Sequence, residues 1–306
     1  MPKHIINWSE KTAVITGGGS GIGKATAIAL AKKGATVHVV DLHPARLAAL
    51  TDELPSDVTN VYVHTVDVTS PEQLGQLAND IQGNIDILIN CAGILHQGKL
   101  ATTPNRDLHQ VLNVNLWGAI YSIKAFLPKL RARQIKGCQT ESGQRRKHCQ
   151  GSHIINIASI AGLISSPEMA LYNTSKAALL GLTESLSVEL AADNIQVSAV
   201  CPGSIKTNLG RDGRFSSDST VSRVVHNSIR NGASPTLVAQ DIIQVIERSS
   251  LFKLSCVEWF WQVLWLCKRL FPALYPKLSS IIYYRVIAKG LANCLLMPTK
   301  QTRQWL

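Results

Sequence analysis

The sequence predicts an α/β protein, a doubly wound parallel sheet flanked by helices, with a C-terminal amphipathic helical extension. Apolar runs rich in β-branched residues are typical of strands buried on both faces, and they occupy residues 11–16, 36–40, 61–66, 85–90, 153–158 and 195–200. Helical stretches lie between them, such as residues 23–33 and 170–190. Strands of this kind, joined by helical crossovers, form a parallel sheet covered on both sides.

A change in composition after Ser250 divides the chain. Residues 1–250 are predicted to form the sheet domain, and residues 251–306 an apolar, basic helical extension. Within the domain, residues 131–152 are rich in Gly, Gln, Lys and Arg without an apolar period, which predicts an exposed loop insertion. The Cys and His residues of this loop match no common zinc spacing, so we expect no metal site.

Composition and the N-terminal residues favour a folded protein in a reducing compartment. Of the 306 residues, 45% are hydrophobic and 17% are charged, which is not the profile of a disordered chain. The seven cysteines lack paired spacing, which favours reduced thiols, and no apolar run of signal-peptide length precedes the first strand. We therefore expect a cytoplasmic protein, or one that is peripheral at the cytoplasmic face of a membrane.

The net charge of +11 is concentrated in two segments. Residues 128–153 hold seven Lys/Arg against one acid, and residues 245–306 hold nine against two. The first segment lacks interleaved aromatic residues, so no nucleic-acid partner is predicted. In the second, residues 251–270 and 281–297 are amphipathic, but neither contains enough consecutive uncharged apolar residues to span a bilayer. They suit either a membrane interface, with peripheral contact through 251–297, or packing on the protein or a subunit.

Residues 16–23, with the sequence Thr-Gly-Gly-Gly-Ser-Gly-Ile-Gly, connect the first predicted strand to the first helix. Glycine permits positive φ and close approach of the backbone, and a helix N-terminus offers N–H groups to a pyrophosphate. A tight turn also needs glycine, but the flanking strand and helix favour binding. The predicted contacts are Gly17, Ser20, Gly21, Ile22 and Gly23.

Two aspartates follow the second and third predicted strands. Asp41 is placed to accept hydrogen bonds from both adenosine ribose hydroxyls and to repel a 2′-phosphate, which favours NAD over NADP without excluding NADP. No Lys or Arg lies within residues 16–23 to favour the phosphorylated cofactor. A solvated turn residue is the alternative for Asp41. Asp67, with Val68 beside it, is expected near the adenine.

Three polar residues form a candidate proton-transfer group. Tyr172 and Lys176 are four residues apart on a predicted helix and share one face, and Ser159 ends a strand earlier in the chain. A tyrosine hydroxyl becomes a base near neutral pH only if a cation stabilises the phenolate, and Lys176 supplies one. On spacing alone, an ordinary Tyr and Lys pair on a helix surface is the simpler interpretation.

Over roughly residues 9–210 the sequence resembles the short-chain dehydrogenase/reductase family. The family's TGxxxGxG turn matches residues 16–23, and its NNAG motif matches Asn90-Cys91-Ala92-Gly93, with Cys91 replacing the second Asn. Its catalytic residues match Asn115, Ser159, Tyr172 and Lys176. The Pro-Gly turn that lies beside the nicotinamide in the family matches Pro202 and Gly203, with Ile205 and Thr207 beyond them.

The resemblance implies a Rossmann-like fold and hydride transfer between a nicotinamide cofactor and a secondary alcohol or ketone. Tyr172 would exchange a proton with the substrate oxygen while Ser159 orients it. Lys176 is expected to lower the pKa of Tyr172 and to hold ribose hydroxyls, and Asn115 to position a water in a proton relay. Asn90 is expected to be structural and adjacent to the cofactor. The remaining predicted cofactor contacts are Ala92, Gly93, Tyr172, Lys176, Pro202, Gly203, Ile205 and Thr207.

The substrate is expected to be apolar. Residues 204–235 are predicted to form a mobile lid, and the extension to widen the pocket for a steroid, retinoid or lipid-like alcohol or ketone. The resemblance also implies a homodimer or homotetramer, through helices around residues 108–130 and 170–190. The alternative function is a catalytically silent NAD(H)-binding regulatory or scaffold protein, which would not need the proton-transfer residues.

Overall fold

The computed structural model describes residues 6–137, 151–215 and 220–282. In these residues the strands are β1 (Thr12–Thr16), β2 (Thr36–Asp41), β3 (Val61–Thr65), β4 (Ile87–Asn90), β5 (His96–Gln97), β6 (Ser152–Ile157), β7 (Ile195–Pro202), β8 (Arg214–Phe215) and β9 (Phe252–Ser255). Seven of them form one parallel sheet in the order β3-β2-β1-β4-β6-β7-β9, and β5 pairs with β8. The predicted doubly wound parallel sheet is confirmed.

Helices connect the strands and cover both faces of the sheet. They are α1 (Gly21–Lys32), α2 (Pro44–Asp52), α3 (Pro71–Asp80), α4 (Asn105–Leu112), α5 (Gly118–Gly137), α6 (Ala170–Glu189), α7 (Leu209–Asp212), α8 (Thr220–Arg230), α9 (Pro235–Arg248), α10 (Trp259–Leu270) and α11 (Tyr275–Ile282). The strand order reverses between β1 and β4. At such a reversal the connections after the strands diverge, which leaves a crevice at the carboxyl edge of the sheet.

The central strands are buried on both faces, as their continuous apolar sequence predicts. On one face, Leu30 of α1 and Ile242 of α9 belong to the same core as Ile15 of β1. On the other face, Phe126 of α5 shares a core with Leu88 of β4. Because helices are close-packed against both sides of these strands, the chain segments that leave the carboxyl edge start from fixed positions.

The sheet contains a strand that the sequence does not predict. The division at Ser250 places residues 251–270 in one amphipathic helix, but Phe252–Ser255 form β9 and pair with residues 199–202 of β7. Four residues are too few for the hydrophobic period to separate a strand from a helix. The extension therefore begins after Ser255 and consists, in the described part, of α10 and α11.

The predicted loop insertion and the predicted lid both contain regular secondary structure. Helix α5 continues into the predicted loop 131–152, of which residues 138–150 lie outside the described ranges. The predicted lid, residues 204–235, contains α7, β8 and α8. Most of the second predicted amphipathic segment, residues 281–297, also lies outside what the structure describes.

The extension packs against the domain through one side of α10. The ring of Trp265 stacks on Phe252 of β9, with 5.7 Å between the ring centroids. The Lys268 ammonium donates a hydrogen bond of 2.6 Å to the carbonyl of Leu163. Within residues 6–137, 151–215 and 220–282, no helix is long and apolar enough to cross a membrane.

Candidate active site

The glycine-rich turn between β1 and α1 is pressed against the segment that follows β4. Gly17 has a φ of +64°, and a Cβ atom there would lie 2.6 Å from the Cα of Ala92. A Cβ on Gly23 would lie 2.3 Å from the carbonyl oxygen of Gly17. Only glycine is compatible with these approaches, so the turn stays flat against the sheet edge and its backbone lines the crevice.

Asp41 ends β2 with its carboxylate turned towards this loop. Its Oδ2 atom accepts a 3.0 Å hydrogen bond from the amide of Gly19, and Oδ1 accepts one of 3.0 Å from the amide of His43. The side chain is buried and lines the cavity described below. A carboxylate has about four lone-pair sites, so two further donors can still bind to it.

Arg46 is a cavity residue that the sequence analysis did not single out. It lies on α2, and its guanidinium pairs with the carboxylate of Asp212 on α7 at 2.6 Å. Both residues line the cavity, so the pair connects the Asp41 side of the crevice to the predicted lid. The sequence feature that could have identified it is an Arg in the first turn of the helix that follows the strand ending in Asp41.

Asp67 and Val68, which are expected near an adenine, follow β3 and also line the cavity. The Asp67 Oδ1 atom accepts hydrogen bonds from the amide and the hydroxyl of Thr69, both 2.8 Å long. Ser70 caps α3, since its hydroxyl accepts a bond from the amide of Gln73. The helix cap and the cavity residues of this turn are therefore different side chains.

Asn90 is structural rather than part of the cavity wall. Its Nδ2 atom donates a 2.8 Å bond to Oδ1 of Asn156 in the neighbouring strand β6, and the Asn90 side chain is buried. The next residue, Cys91, does line the cavity, and burial raises the pKa of its thiol to about 11. A neutral thiol thus occupies the position where the family motif has an amide.

Asn115 lies in a wide π-helical turn, Asn113–Trp117, between α4 and α5. Its Oδ1 atom accepts a 2.8 Å bond from the amide of Ile94, and its Nδ2 atom donates to the carbonyl of Ile94 and to the hydroxyl of Ser175. The side chain is buried and does not line the cavity. It ties the segment after β4 to helix α6, which carries Tyr172.

Ser159, Tyr172 and Lys176 come together at one end of the cavity. Ser159 follows β6, and its Oγ atom accepts a 3.1 Å bond from the amide of Ala161. The Lys176 ammonium donates a 2.8 Å bond to the carbonyl of Ile157 and lies 5.8 Å from the centroid of the Tyr172 ring. The predicted convergence of these three side chains is present, which a simple pair on an exposed helix surface would not give.

The titration of this group differs from the expectation in one respect. Burial raises the pKa of Tyr172 to about 12, and a hydrogen bond with Ser159 only partly opposes that rise. Burial also lowers the pKa of Lys176 to about 8. Lys176 was expected to lower the pKa of Tyr172, but in the protein alone the loss of hydration of the phenolate outweighs any such attraction.

One cavity of about 580 Å³ contains these features together. At one end lie the glycine turn and Asp41, and at the other the Ser159, Tyr172 and Lys176 group. Its outer wall, the part that comes from α8 and α10, is mainly apolar, with Ser228 of α8 and Glu258 before α10 as polar exceptions. The wall residues include Val221, Val224, Val225, Ile229, Phe260 and Trp261.

The structure places most of the predicted contacts on the cavity wall. The predicted residues that line it are Gly17, Ser20, Gly21, Ile22, Asp41, Asp67, Val68, Ala92, Gly93, Ser159, Tyr172, Lys176, Pro202, Gly203, Ile205 and Thr207. Gly23, Asn90 and Asn115 lie behind the wall, where close packing or hydrogen bonds occupy them.

Comparisons with known proteins agree with this geometry. A family model described as short chain dehydrogenase matches residues 11–215. The chain is 36% identical over 198 residues to dehydrogenase/reductase SDR family member 6 of Danio rerio, which covers 64% of this chain and 72% of that protein. It is 32% identical over 200 residues to 3-oxoacyl-(acyl-carrier-protein) reductase FabG of Thermotoga maritima, which covers 64% of this chain and 75% of that one.

A solved structure of a short chain dehydrogenase/reductase from Burkholderia phymatum in complex with NAD has the same fold. It aligns with a TM-score of 0.72 at 25% sequence identity, over 96% of this chain and 98% of the other. The resemblance seen in the motifs is therefore confirmed by a family match over more than half of the chain and by the fold. This chain belongs to the short-chain dehydrogenase family of oxidoreductases.

Proposed function

We propose that this oxidoreductase interconverts a secondary alcohol and a ketone with NAD(H), and that its substrate is apolar. The observation that carries the proposal is the single cavity that joins Ser159, Tyr172 and Lys176 to the glycine turn and Asp41. A binding or scaffold protein would need the glycine turn but not three buried polar groups at the far end. Burying such groups is costly, which speaks against a catalytically silent role.

The residues at the crevice suit a dinucleotide. Side chains at Gly17 and Gly19 would collide with Ala92 and with Asp41, so glycine keeps the backbone of the turn against the residues that line the crevice, and Ser20 makes no hydrogen bond that caps α1. Asp41 would accept hydrogen bonds from the adenosine ribose hydroxyls, and the Lys176 ammonium would donate hydrogen bonds to the hydroxyls of the nicotinamide ribose. When bound, the nicotinamide ring supplies or accepts the hydride.

The preference for NAD over NADP rests on the charges near the ribose site. Asp41 is buried there, and a 2′-phosphate would meet its negative charge. Arg46 is the nearby cation that would favour NADP, but its guanidinium is already paired with Asp212. The balance supports NAD as the preferred cofactor.

Tyr172 is the group that would move the proton. With a pKa of about 12 it is protonated at neutral pH, so it is ready to donate to a carbonyl oxygen. Ser159 would hold that oxygen, and the positive charge on Lys176 would stabilise the phenolate that forms. The reduction of a ketone is thus the direction that the resting protonation state favours.

The outer wall supports an apolar substrate such as a steroid, a retinoid or a lipid-like ketone. The valines of α8 and the rings of Phe260 and Trp261 offer no charge to a polar substrate. We also propose a homodimer or homotetramer at the cytoplasmic face of a membrane. The exposed side chains of Trp117 and Val188, near α5 and on α6, support subunit contacts along these helices.

Replacing Tyr172 with Phe removes the proton donor and keeps the ring. We expect turnover of an apolar ketone to fall at least a hundredfold, because proton transfer in the transition state contributes roughly that much. NADH binding should persist, and both are read from the absorbance and fluorescence of the reduced nicotinamide. The matched control is Tyr121→Phe on α5, which should keep full activity; activity that survives in Tyr172→Phe would contradict the mechanism.

Asp41→Asn removes the negative charge while keeping the shape of the side chain. We expect the ratio of kcat/KM for NAD to kcat/KM for NADP to fall roughly tenfold or more, since a charge-assisted hydrogen bond is lost and the repulsion of the phosphate disappears. Steady-state kinetics with both cofactors measures the ratio. Asp67→Asn, at the next strand end, is the control and should leave the ratio unchanged, while an unchanged ratio in Asp41→Asn would show that this carboxylate does not select the cofactor.

The rate of ketone reduction should depend on the protonation of Lys176. Burial lowers its pKa to about 8, so the ammonium keeps its charge below that pH and loses it above. We expect kcat/KM for reduction to be flat at lower pH and to fall as the pH rises through about 8. In Lys176→Arg the guanidinium stays charged, so any activity that the variant keeps should not show this fall. A rate that rises through this range would contradict the assignment.

A further inference from the structure

The exposed side of the C-terminal extension is unusually apolar. In α10 the residues at positions 259, 263, 266 and 270 recur at intervals of four, three and four, so they form one face of the helix. Trp259 is 71% exposed. The large apolar side chains exposed on α10, on α11 and between them are Trp259, Val263, Leu266, Leu270, Phe271, Leu274, Leu278 and Ile281. A contiguous apolar surface of this kind marks an interaction site.

The opposite side of α10 belongs to the cavity. Phe260 and Trp261 line the cavity, and Leu264 is buried beneath them. The hydroxyl of Tyr275 at the start of α11 donates a 3.0 Å bond to the carbonyl of Ser165, in the segment that follows Ser159. Helix α10 therefore lies between the cavity and the exposed apolar face, and the bond from Tyr275 attaches α11 to the segment after Ser159.

The positive charge of this segment indicates which kind of surface the apolar face binds. Residues 259–306 contain seven Lys or Arg residues and no Asp or Glu. Of the three tryptophans of α10, Trp259 lies on the exposed face, whereas Trp261 lines the cavity and Trp265 stacks on Phe252. Basic, Trp-rich amphipathic helices bind at the interface of anionic lipids, where the apolar face enters the acyl boundary and the cations meet the headgroups.

A second copy of the chain is a poorer occupant of this face. A symmetric dimer brings the same patch of two subunits together, so two such cationic segments would be juxtaposed with no acidic residue of either segment to pair them. An anionic lipid surface has the complementary charge.

We propose that the exposed face of α10 and α11 docks on an anionic lipid bilayer, and that the cavity behind α10 takes its apolar substrate from that bilayer. The docking proposal depends only on the exposed surface and its charge, and not on the proposed function. The origin of the substrate rests on the proposed function as well, because it requires that the cavity reduce or oxidise a lipid-soluble compound.

Sedimentation with vesicles tests the docking. Full-length protein should sediment with phosphatidylcholine vesicles that contain phosphatidylserine, should bind vesicles of phosphatidylcholine alone more weakly, and should be released by added salt. The double variant Val263→Gln/Leu266→Gln should bind at least tenfold more weakly, because two apolar side chains no longer enter the lipid. The matched control Val63→Gln/Leu100→Gln changes the same residue types at exposed positions elsewhere and should bind normally.

A charge variant and the size of the protein in solution complete the test. Arg269→Gln/Lys277→Gln should weaken binding roughly fivefold per charge, and only with phosphatidylserine present. The docking proposal would be overturned if the protein sediments with neither kind of vesicle. It would also be overturned if Val263→Gln/Leu266→Gln binds vesicles as well as its control Val63→Gln/Leu100→Gln. If Val263→Gln/Leu266→Gln instead reduces the mass of the particle by light scattering and leaves vesicle binding intact, the face is a subunit interface and the proposal is wrong.

Turnover tests the origin of the substrate separately. With a long-chain ketone dissolved in the vesicles, Val263→Gln/Leu266→Gln should lower kcat/KM by about the factor by which it lowers binding, and a short water-soluble ketone should be reduced at the wild-type rate. Equal effects on both ketones would contradict entry from the bilayer. Vesicle binding is read without any substrate, so it decides the docking even if the proposed reaction fails.

Discussion

The buried ammonium group of Lys176 is the feature around which the site is built. A charge removed from water is stable only if fixed dipoles replace its hydration, and the carbonyl of Ile157 provides one at 2.8 Å. The neighbouring backbone must come close for this to happen. A Cβ on Gly162 would lie 2.8 Å from the backbone of Lys176, and one on Gly93 would lie 3.5 Å from its ammonium. Gly162 therefore allows the segment after β6 to approach the backbone of α6 at Lys176, whereas a side chain at Gly93 would lie only at van der Waals distance from the ammonium.

Hydrogen bonds between buried side chains join helix α6, which carries Lys176, to the carboxyl edge of the sheet. Asn115 joins the segment after β4 to Ser175 of α6, and the Ser175 hydroxyl donates to the carbonyl of Tyr172. Deeper in the core, Asn156 accepts from Asn90 and donates to Thr183 of the same helix. These directional hydrogen bonds depend on the relative position of sheet and helix, so they specify the position of Tyr172 more narrowly than apolar packing alone would.

The sequence predicts the sheet, the glycine turn, Asp41 and the Ser159, Tyr172 and Lys176 group from local patterns, and most of the other cavity residues through the family resemblance. Buried parallel strands are continuous apolar runs, and a glycine turn between strand and helix has few other uses. What it could not predict depends on contacts between distant segments. Strand β9 is fixed by pairing with β7, Arg46 at the cavity is paired with the distant Asp212, and the raised pKa of Tyr172 reflects burial that no spacing reveals. The position of α10 in the cavity wall likewise depends on contacts between segments that are distant in the sequence.

The central claim is that this cavity transfers hydride, and the transfer of an isotope tests it most directly. Wild-type protein would be incubated with NADH deuterated at C4 and with a steroid ketone, a long-chain ketone and a short polar ketone, each supplied with and without anionic vesicles. Mass spectrometry of the products would locate the label. The account predicts an alcohol that carries deuterium on the former carbonyl carbon, most of it from the apolar ketones. Tight NADH binding with no deuterated alcohol from any ketone would contradict it and would favour a protein that binds the cofactor without turnover.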